Sequence, residues 1–218
     1  EIKRLVENSK DGRSAIIFGA PRKDKKVIKN SVYVIENGKI EAIRDKYELP
    51  NTGVFDEQRI FTEGELEGCV KIKDINFALP ICEDIWKKTV LDKQSKSGAE
   101  IIISINASPF TLSKSFERDH ITLSRVKETN LPLIYLNRTG GQDELIFDGS
   151  SFALNHNGNK FFCSSEFKEE VSVIAFEKKG GRWIGNGNIN ENSSEIERLY
   201  KALVLGLRDY VNHNKFPG

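Results

Sequence analysis

The chain of 218 residues contains no methionine, three cysteines (Cys69, Cys82, Cys163) and three histidines. So few thiols build no disulfide framework and suit a reducing compartment. Neither sign of charge is in excess, since 33 Lys and Arg against 32 Asp and Glu leave +1. A nucleic-acid footprint would need a basic surplus, so no nucleic-acid partner is expected. No apolar run approaches the roughly 18 residues that cross a bilayer, so no membrane partner is expected either. Glu1-Ile2-Lys3-Arg4 carries charge but no apolar stretch follows it, which excludes a signal peptide at this position. The expected location is cytoplasmic. With no initiator methionine, and with Ile2, Leu5 and Val6 already at helical spacing, the chain reads as a fragment whose natural start lies upstream.

What is present is a chain long enough to bury a substantial core, as one large domain or two small ones. Residues 14–20 are a short apolar run, the mark of a buried strand. Residues 23–29 read as a solvated basic loop. Residues 31–35 and 39–43 flank Asn37-Gly38, a strong hairpin signal because both turn residues tolerate positive φ. Residues 46–57 are rich in turn formers and lack a period, and long loops of this kind often carry function. Residues 66–73 and 76–81 read as a strand pair, and residues 84–97 as a helix ended by Gly98. Strands follow at 100–106, 131–136, 145–147, 151–156, 160–164 and 171–176, with a helix over 113–129. Residues 178–192 read as a loop or linker. Ser194-Glu195-Ile196-Glu197 matches a capping box. Behind it, Ile196, Leu199, Tyr200, Leu203, Leu207 and Tyr210 form an apolar helix face, and the chain ends at Phe216-Pro217-Gly218. Strand, helix and strand in succession predict a parallel pair with a crossover, and the hairpins add antiparallel pairs. The expected fold class is α/β, two mixed sheets with helices outside.

Chemistry concentrates at Leu79-Pro80-Ile81-Cys82-Glu83-Asp84-Ile85-Trp86. A lone cysteine after a strand is usually a small buried hydrophobe. Placed between a strand end and a helix start, however, a thiol meets outward backbone N–H groups and a favourable dipole. At an ordinary pKa near 8.5 only about 3% of a thiol is thiolate at pH 7, so such placement decides reactivity. Cys82 is therefore the candidate nucleophile, while Cys69 and Cys163 lie in strand patterns and read as structural. A thiol attacking an amide carbon needs a proton acceptor, an oxyanion partner and a proton for the leaving nitrogen. His120 sits mid-helix, His156 beside a turn and His213 near the end, so none joins Cys82 at a strand end. Lys46 and Glu57 share one irregular loop and offer a lysine and a carboxylate instead.

Four motifs then carry a resemblance. They are Lys46-x-x-Leu49-Pro50-Asn51 with Gly53-Val54-Phe55-Asp56-Glu57; Ile81-Cys82-Glu83-Asp84-Ile85-Trp86; Asn106-Ala107-Ser108-Pro109-Phe110; and Gly140-Gly141-Gln142-Asp143-Glu144-Leu145. In this order they resemble the nitrilase-type carbon-nitrogen hydrolases, and more narrowly the glutaminase domain of bacterial glutamine-dependent NAD synthetases. The resemblance implies a nitrilase-like α-β-β-α sandwich over residues 1–180, incomplete at its N-terminus. Residues 181–218 would be a linker and helix leading to an ATP-dependent synthetase domain.

It implies Cys82 as nucleophile through a glutamyl thioester, Lys46 with the backbone N–H of Glu83 at the oxyanion, and Glu57 supporting the lysine. It implies Glu83, Ser108 and Phe55 as contacts for L-glutamine. No cofactor is implied in this domain; ATP and Mg, with deamido-NAD, belong to the synthetase domain, and a homo-oligomer is expected. The family's general-base glutamate lies upstream of the lysine, and Glu7, Glu36 and Glu41 match no such motif. Thr52 stands where the family usually has Tyr. Two other readings stay open: a stand-alone amidase acting on another small amide, and a catalytically incomplete scaffold.

Overall fold

The computed structural model describes residues 1–191 and 193–216. Pro217, Gly218 and Asn192, which the sequence reading assigned to the chain end and the linker, lie outside the described residues. The chain divides into two compact units, Glu1–Ile105 and Asn106–Gly218.

The first unit opens with α1 (Ile2–Asn8) and the strands β1 (Ile16–Asp24), β2 (Val27–Glu36) and β3 (Lys39–Asp45). These three form one antiparallel sheet with β2 in the middle. The β2–β3 turn is Asn37-Gly38, with φ of 50° and 75°. The basic segment is no loop: β1 runs through Asp24 and β2 restarts at Val27, with Asp24 opposite Val27. Only Lys25, at φ 52°, occupies a left-handed turn position. Charge along these strand ends faces water while the backbone stays paired, so polarity alone misplaced the boundary. Residues 31–36 of β2 are all buried. Val32 and Val34 pack with Val70, Ile72, Leu79 and Ile81 in one cluster.

Those partners come from β4 (Val70–Ile72) and from the segment that follows β5 (Ile75–Ala78). β4 and β5 are antiparallel, and β5 lies parallel to β6 (Ile101–Asn106). The crossover between them contains α2 (Thr89–Lys96). The expected helix over 84–97 is therefore interrupted: Cys82–Ile85 is a single 3₁₀ turn, and α-helix begins only at Thr89. The buried Asp84 carboxylate is committed to the N–H groups of Ile81, just before the turn, and of Tyr47 and Glu48 in a distant loop. Gly98, at φ 101°, follows the helix end as expected.

The second unit holds α3 (Lys114–Thr129), β7 (Leu133–Asn137), β8 (Thr139–Gln142), β9 (Leu145–Asp148), β10 (Phe152–Leu154) and β11 (Lys160–Cys163). β12 (Ala175–Lys179), β13 (Arg182–Asn186) and α4 (Glu195–Asn214) complete it. β10 pairs antiparallel with β7 and with β11. β8–β9 is a hairpin. The expected linker is also a hairpin in part: β12 pairs with β13 across Gly180-Gly181, at φ of 56° and 79°. Adjacent residues at positive φ are the signature of a primed two-residue turn.

Ser194 caps α4 by accepting from the Glu197 backbone N–H. The apolar stripe of α4 faces outward: Ile196, Tyr200, Leu203, Leu207 and Tyr210 are all exposed, while Arg198, Ala202 and Leu205 are buried. Close packing explains the inversion. The Gly206 backbone lies against Gly141, and a Cβ on Gly206 would meet Ile146 at 2.9 Å. The buried face is the one with small residues, which lets the helix approach the β8–β9 hairpin closely.

Candidate functional site

β3 ends at Asp45, so Lys46 is the first residue beyond a paired strand. Its backbone N–H donates to Asn30 O at 2.7 Å and its carbonyl accepts from Gly64 N–H at 2.8 Å. These bonds turn the side chain inward, where it is 1% exposed. The ammonium donates to Glu57 Oε1 at 2.6 Å. Glu57 opens a short 3₁₀ turn, Glu57–Arg59, and its own N–H donates to Pro50 O. Asn30 Nδ2 donates to the second Glu57 oxygen at 3.4 Å. An ammonium that leaves water entirely needs a charged partner held this firmly. Phe55 is half-buried in the same loop, and its N–H donates to Thr52 O.

Cys82 follows Ile81, a buried residue bridged in parallel to Ile105. The thiol-bearing residue sits at φ 46°, the left-handed region that non-glycine residues rarely occupy. Such backbone strain persists where the surroundings over-determine it, and it collects at functional sites. Cys82 itself packs against the Val32–Ile81 cluster. One expectation changes here. The dipole of an α-helix acts within its first turn, and α2 starts seven residues beyond the thiol, so a helix macrodipole does not activate Cys82.

Glu83 and Trp86 share the turn through a Trp86 N–H to Glu83 O bond of 2.9 Å. Asp84 is 3% exposed and ties the turn to the lysine loop. Its Oδ1 accepts from the N–H groups of Tyr47 (3.2 Å) and Glu48 (2.8 Å), and its Oδ2 from Ile81 N–H (3.0 Å). Burial pushes the Asp84 carboxyl up to about 6, against the pull of those three N–H groups and the Lys46 charge. Lys87 adds a second tie, donating to Glu48 at 3.0 Å.

Ser108 belongs to the second unit. Its N–H donates to Asn137 Oδ1 at 3.0 Å, and its hydroxyl accepts from Arg118 Nε at 3.2 Å. Arg118 also donates to the Ser108 and Pro109 carbonyls and to both oxygens of Asp148. Burial raises the Asp148 carboxyl while Arg118 opposes the rise. Thus Lys46, Glu57, Phe55, Cys82 and Glu83 share the first unit, while Ser108 is fixed within the second. Glu7 and Glu41 pair with Lys10 and Lys39 at exposed positions, as residues without a matching motif would. Sequence reasoning missed Asp84, Asn30 and Arg118. Asp84 had a usable signal: it stands three residues after an extended position, the spacing at which an acid reaches back to a turn's first N–H. Asn30 and Arg118 had none, since their partners are 27 and 30 residues away.

Among the described residues no group of three His, Cys, Asp or Glu side chains could hold a metal ion, and no helix is long and apolar enough to cross a membrane.

The carbon-nitrogen hydrolase family model matches residues 1–183. A glutamine-dependent NAD(+) synthetase of Rhodobacter capsulatus is 36% identical over 93% of this chain and 37% of its own length. One from Acinetobacter baylyi is 38% identical over 87% of this chain and 35% of its own length. The chain thus spans a little over a third of these relatives. The solved structure of glutamine-dependent NAD+ synthetase from Acinetobacter baumannii, in complex with ADP, superposes with a TM-score of 0.90. It is 29% identical, covering 100% of this chain and 41% of that one.

Proposed function

Because the chain belongs to the carbon-nitrogen hydrolase family and has its nitrilase-type α/β fold, we propose that Cys82 hydrolyses the side-chain amide of L-glutamine. Its sulfur bonds to the amide carbon, and the carbonyl electron pair moves onto oxygen. Lys46 and the backbone N–H of Glu83 meet that oxyanion. Collapse of the tetrahedral species breaks the C–N bond; the family's general-base glutamate, upstream of the lysine motif, would take the thiol's proton and pass it to the nitrogen, which leaves as ammonia. Water then cleaves the glutamyl thioester, which releases glutamate and restores the thiol. Glu57 keeps the ammonium in place, and Phe55 and Glu83 contact the glutamine.

The released ammonia feeds ATP- and Mg-dependent conversion of deamido-NAD to NAD on a synthetase domain. The relatives named as glutamine-dependent NAD synthetases support that assignment, and the same family reading carries assembly as a homo-oligomer in the cytoplasm. The observation that carries the chemistry is the wholly buried Lys46 ammonium, bonded to Glu57 at 2.6 Å. Its loop is tied to the cysteine turn by one carboxylate. Ammonia release from L-glutamine tests the reading. The full-length protein should release it, and its Cys82→Ala variant should not; equal release by Cys82→Ala would refute the assignment.

A further inference from the structure

We propose that Asp84 is a positioning residue of the thiol site, setting the lysine loop and the cysteine turn in one fixed register. The inference rests on the reading of Lys46 and Cys82 given above and deepens it.

Each half of the site is held locally only in part. Lys46 is bonded to Asn30, Gly64 and Glu57. Cys82 sits at a φ its own residue type disfavours. The residues immediately after Lys46 are Tyr47 and Glu48, and the residue immediately before Cys82 is Ile81. All three backbone N–H groups point at one carboxylate, the first two at Oδ1 and the third at Oδ2. Asp84 also donates its own N–H to Ile81 O at 3.1 Å. The side chain therefore closes the cysteine turn on itself and binds the lysine loop with the same group.

Two carboxyl oxygens suit the three N–H donors, whereas an asparagine would turn an NH₂ toward one set of them. A carboxylate this deeply buried is retained despite its desolvation cost, and the Lys46 charge partly offsets that cost. The groups that line the small cleft with Asp84 include Arg44, Asp45, Tyr47, Glu65 and Glu67. Their side chains make no hydrogen bond to Asp84, whose bonds go to the backbone N–H groups of Tyr47, Glu48 and Ile81. A residue that touches both strands of the site through backbone, and neither reacting atom, acts by placement.

The test reads the pH profile of Cys82 alkylation by iodoacetamide, located by peptide mass, in the whole chain. The variants are Asp84→Asn, Lys46→Met and the pair combined. Asp84→Asn should still unfold cooperatively. Its alkylation midpoint should move up toward that of an ordinary thiol, and its rate at neutral pH should drop roughly tenfold for each unit of midpoint shift. The double variant should react no more slowly than Lys46→Met alone, because Asp84 acts through the lysine. A folded Asp84→Asn with the parent profile would overturn the proposal. So would a double variant whose two effects simply multiply. If Lys46→Met itself leaves the profile unchanged, the reading of Lys46 and Cys82 fails instead. Should Asp84→Asn not fold, Asp84→Ser carries the same comparison. Failure of both to fold would assign Asp84 to the fold and overturn the positioning role.

Discussion

Lys46–Glu57 in the first unit and Arg118–Asp148 in the second each set a buried cation against a carboxylate, and the two pairs are built differently. In the second unit, Arg118 and Asp148 are 2% and 1% exposed. The guanidinium spends its nitrogens on Asp148, on the Ser108 hydroxyl and on the Ser108 and Pro109 carbonyls. Nothing in that set resembles a donor held for an incoming group; the fork clamps the chain around Ser108. In the first unit, Lys46 presents a compact ammonium with three donors, one of which goes to Glu57. Glu57 is itself 16% exposed. A point charge with donor capacity suits a developing oxyanion, whereas a saturated planar cation suits a scaffold. On the function proposed above, the contrast separates a pair that stabilises structure from a pair whose cation serves chemistry.

Breaking the second pair should have the largest effect on the fold. Arg118→Met removes the bidentate partner of buried Asp148, leaving it Asn137 and, at 4.0 Å, Arg198, and should cost about 3–5 kcal/mol of unfolding free energy. Urea denaturation measures it, and a loss under about 1 kcal/mol would erase the contrast. Lys46→Met should show the opposite balance. Glutamine turnover should drop by at least ~10²–10³-fold, the cost of one oxyanion donor, while unfolding stays cooperative. A fall in stability matching that of Arg118→Met, with turnover retained, would make Lys46 a second clamp.

Asp84 sharpens the comparison through pH. Its carboxyl is raised from 3.8 to about 6 by burial. The folded chain thus binds more protons than the unfolded one between those values. The stability Asp84 contributes is present at low pH and is lost as pH rises through about 6. The loss amounts to about 3 kcal/mol between about pH 4 and about pH 7. Asp84→Asn should flatten that part of the stability–pH curve, which thermal unfolding at a series of pH values would follow. The smallest effect belongs to Glu57→Gln. It keeps an acceptor for Lys46 but removes the charge, and about tenfold slower turnover is expected, equal to about 1.4 kcal/mol.

The fold class and the order of many elements were legible in the sequence, and the proposed site residues were legible as motifs. The Asn37-Gly38 hairpin, α3 and the cap of α4 follow from local signals, and the structure has each of them. The crossover between β5 and β6 was legible because an apolar run stands on either side of a helical pattern. Polarity misled at both Lys25 and Gly180-Gly181, where charged or flexible residues top hairpins that the backbone pairs regardless of side chain. The helix expected from residue 84 fails because Asp84 answers to Tyr47 and Glu48, residues that no local window contains. The apolar stripe of α4 was found correctly as a pattern, but Gly206 and Ala202 determine which side packs. Cys82, Lys46 and Glu57 were legible as residue types in motifs. Their geometry was not, because the φ of Cys82 and the burial of Lys46 arise from contacts across the first unit.

The most direct test of the central claim is intact mass after exposure to an electrophilic glutamine analogue, with Cys82→Ala and excess L-glutamine as controls. The account predicts a single adduct that is absent from Cys82→Ala, suppressed by glutamine and slowed in Lys46→Met. An adduct that persists in Cys82→Ala, or that glutamine does not compete, would contradict it.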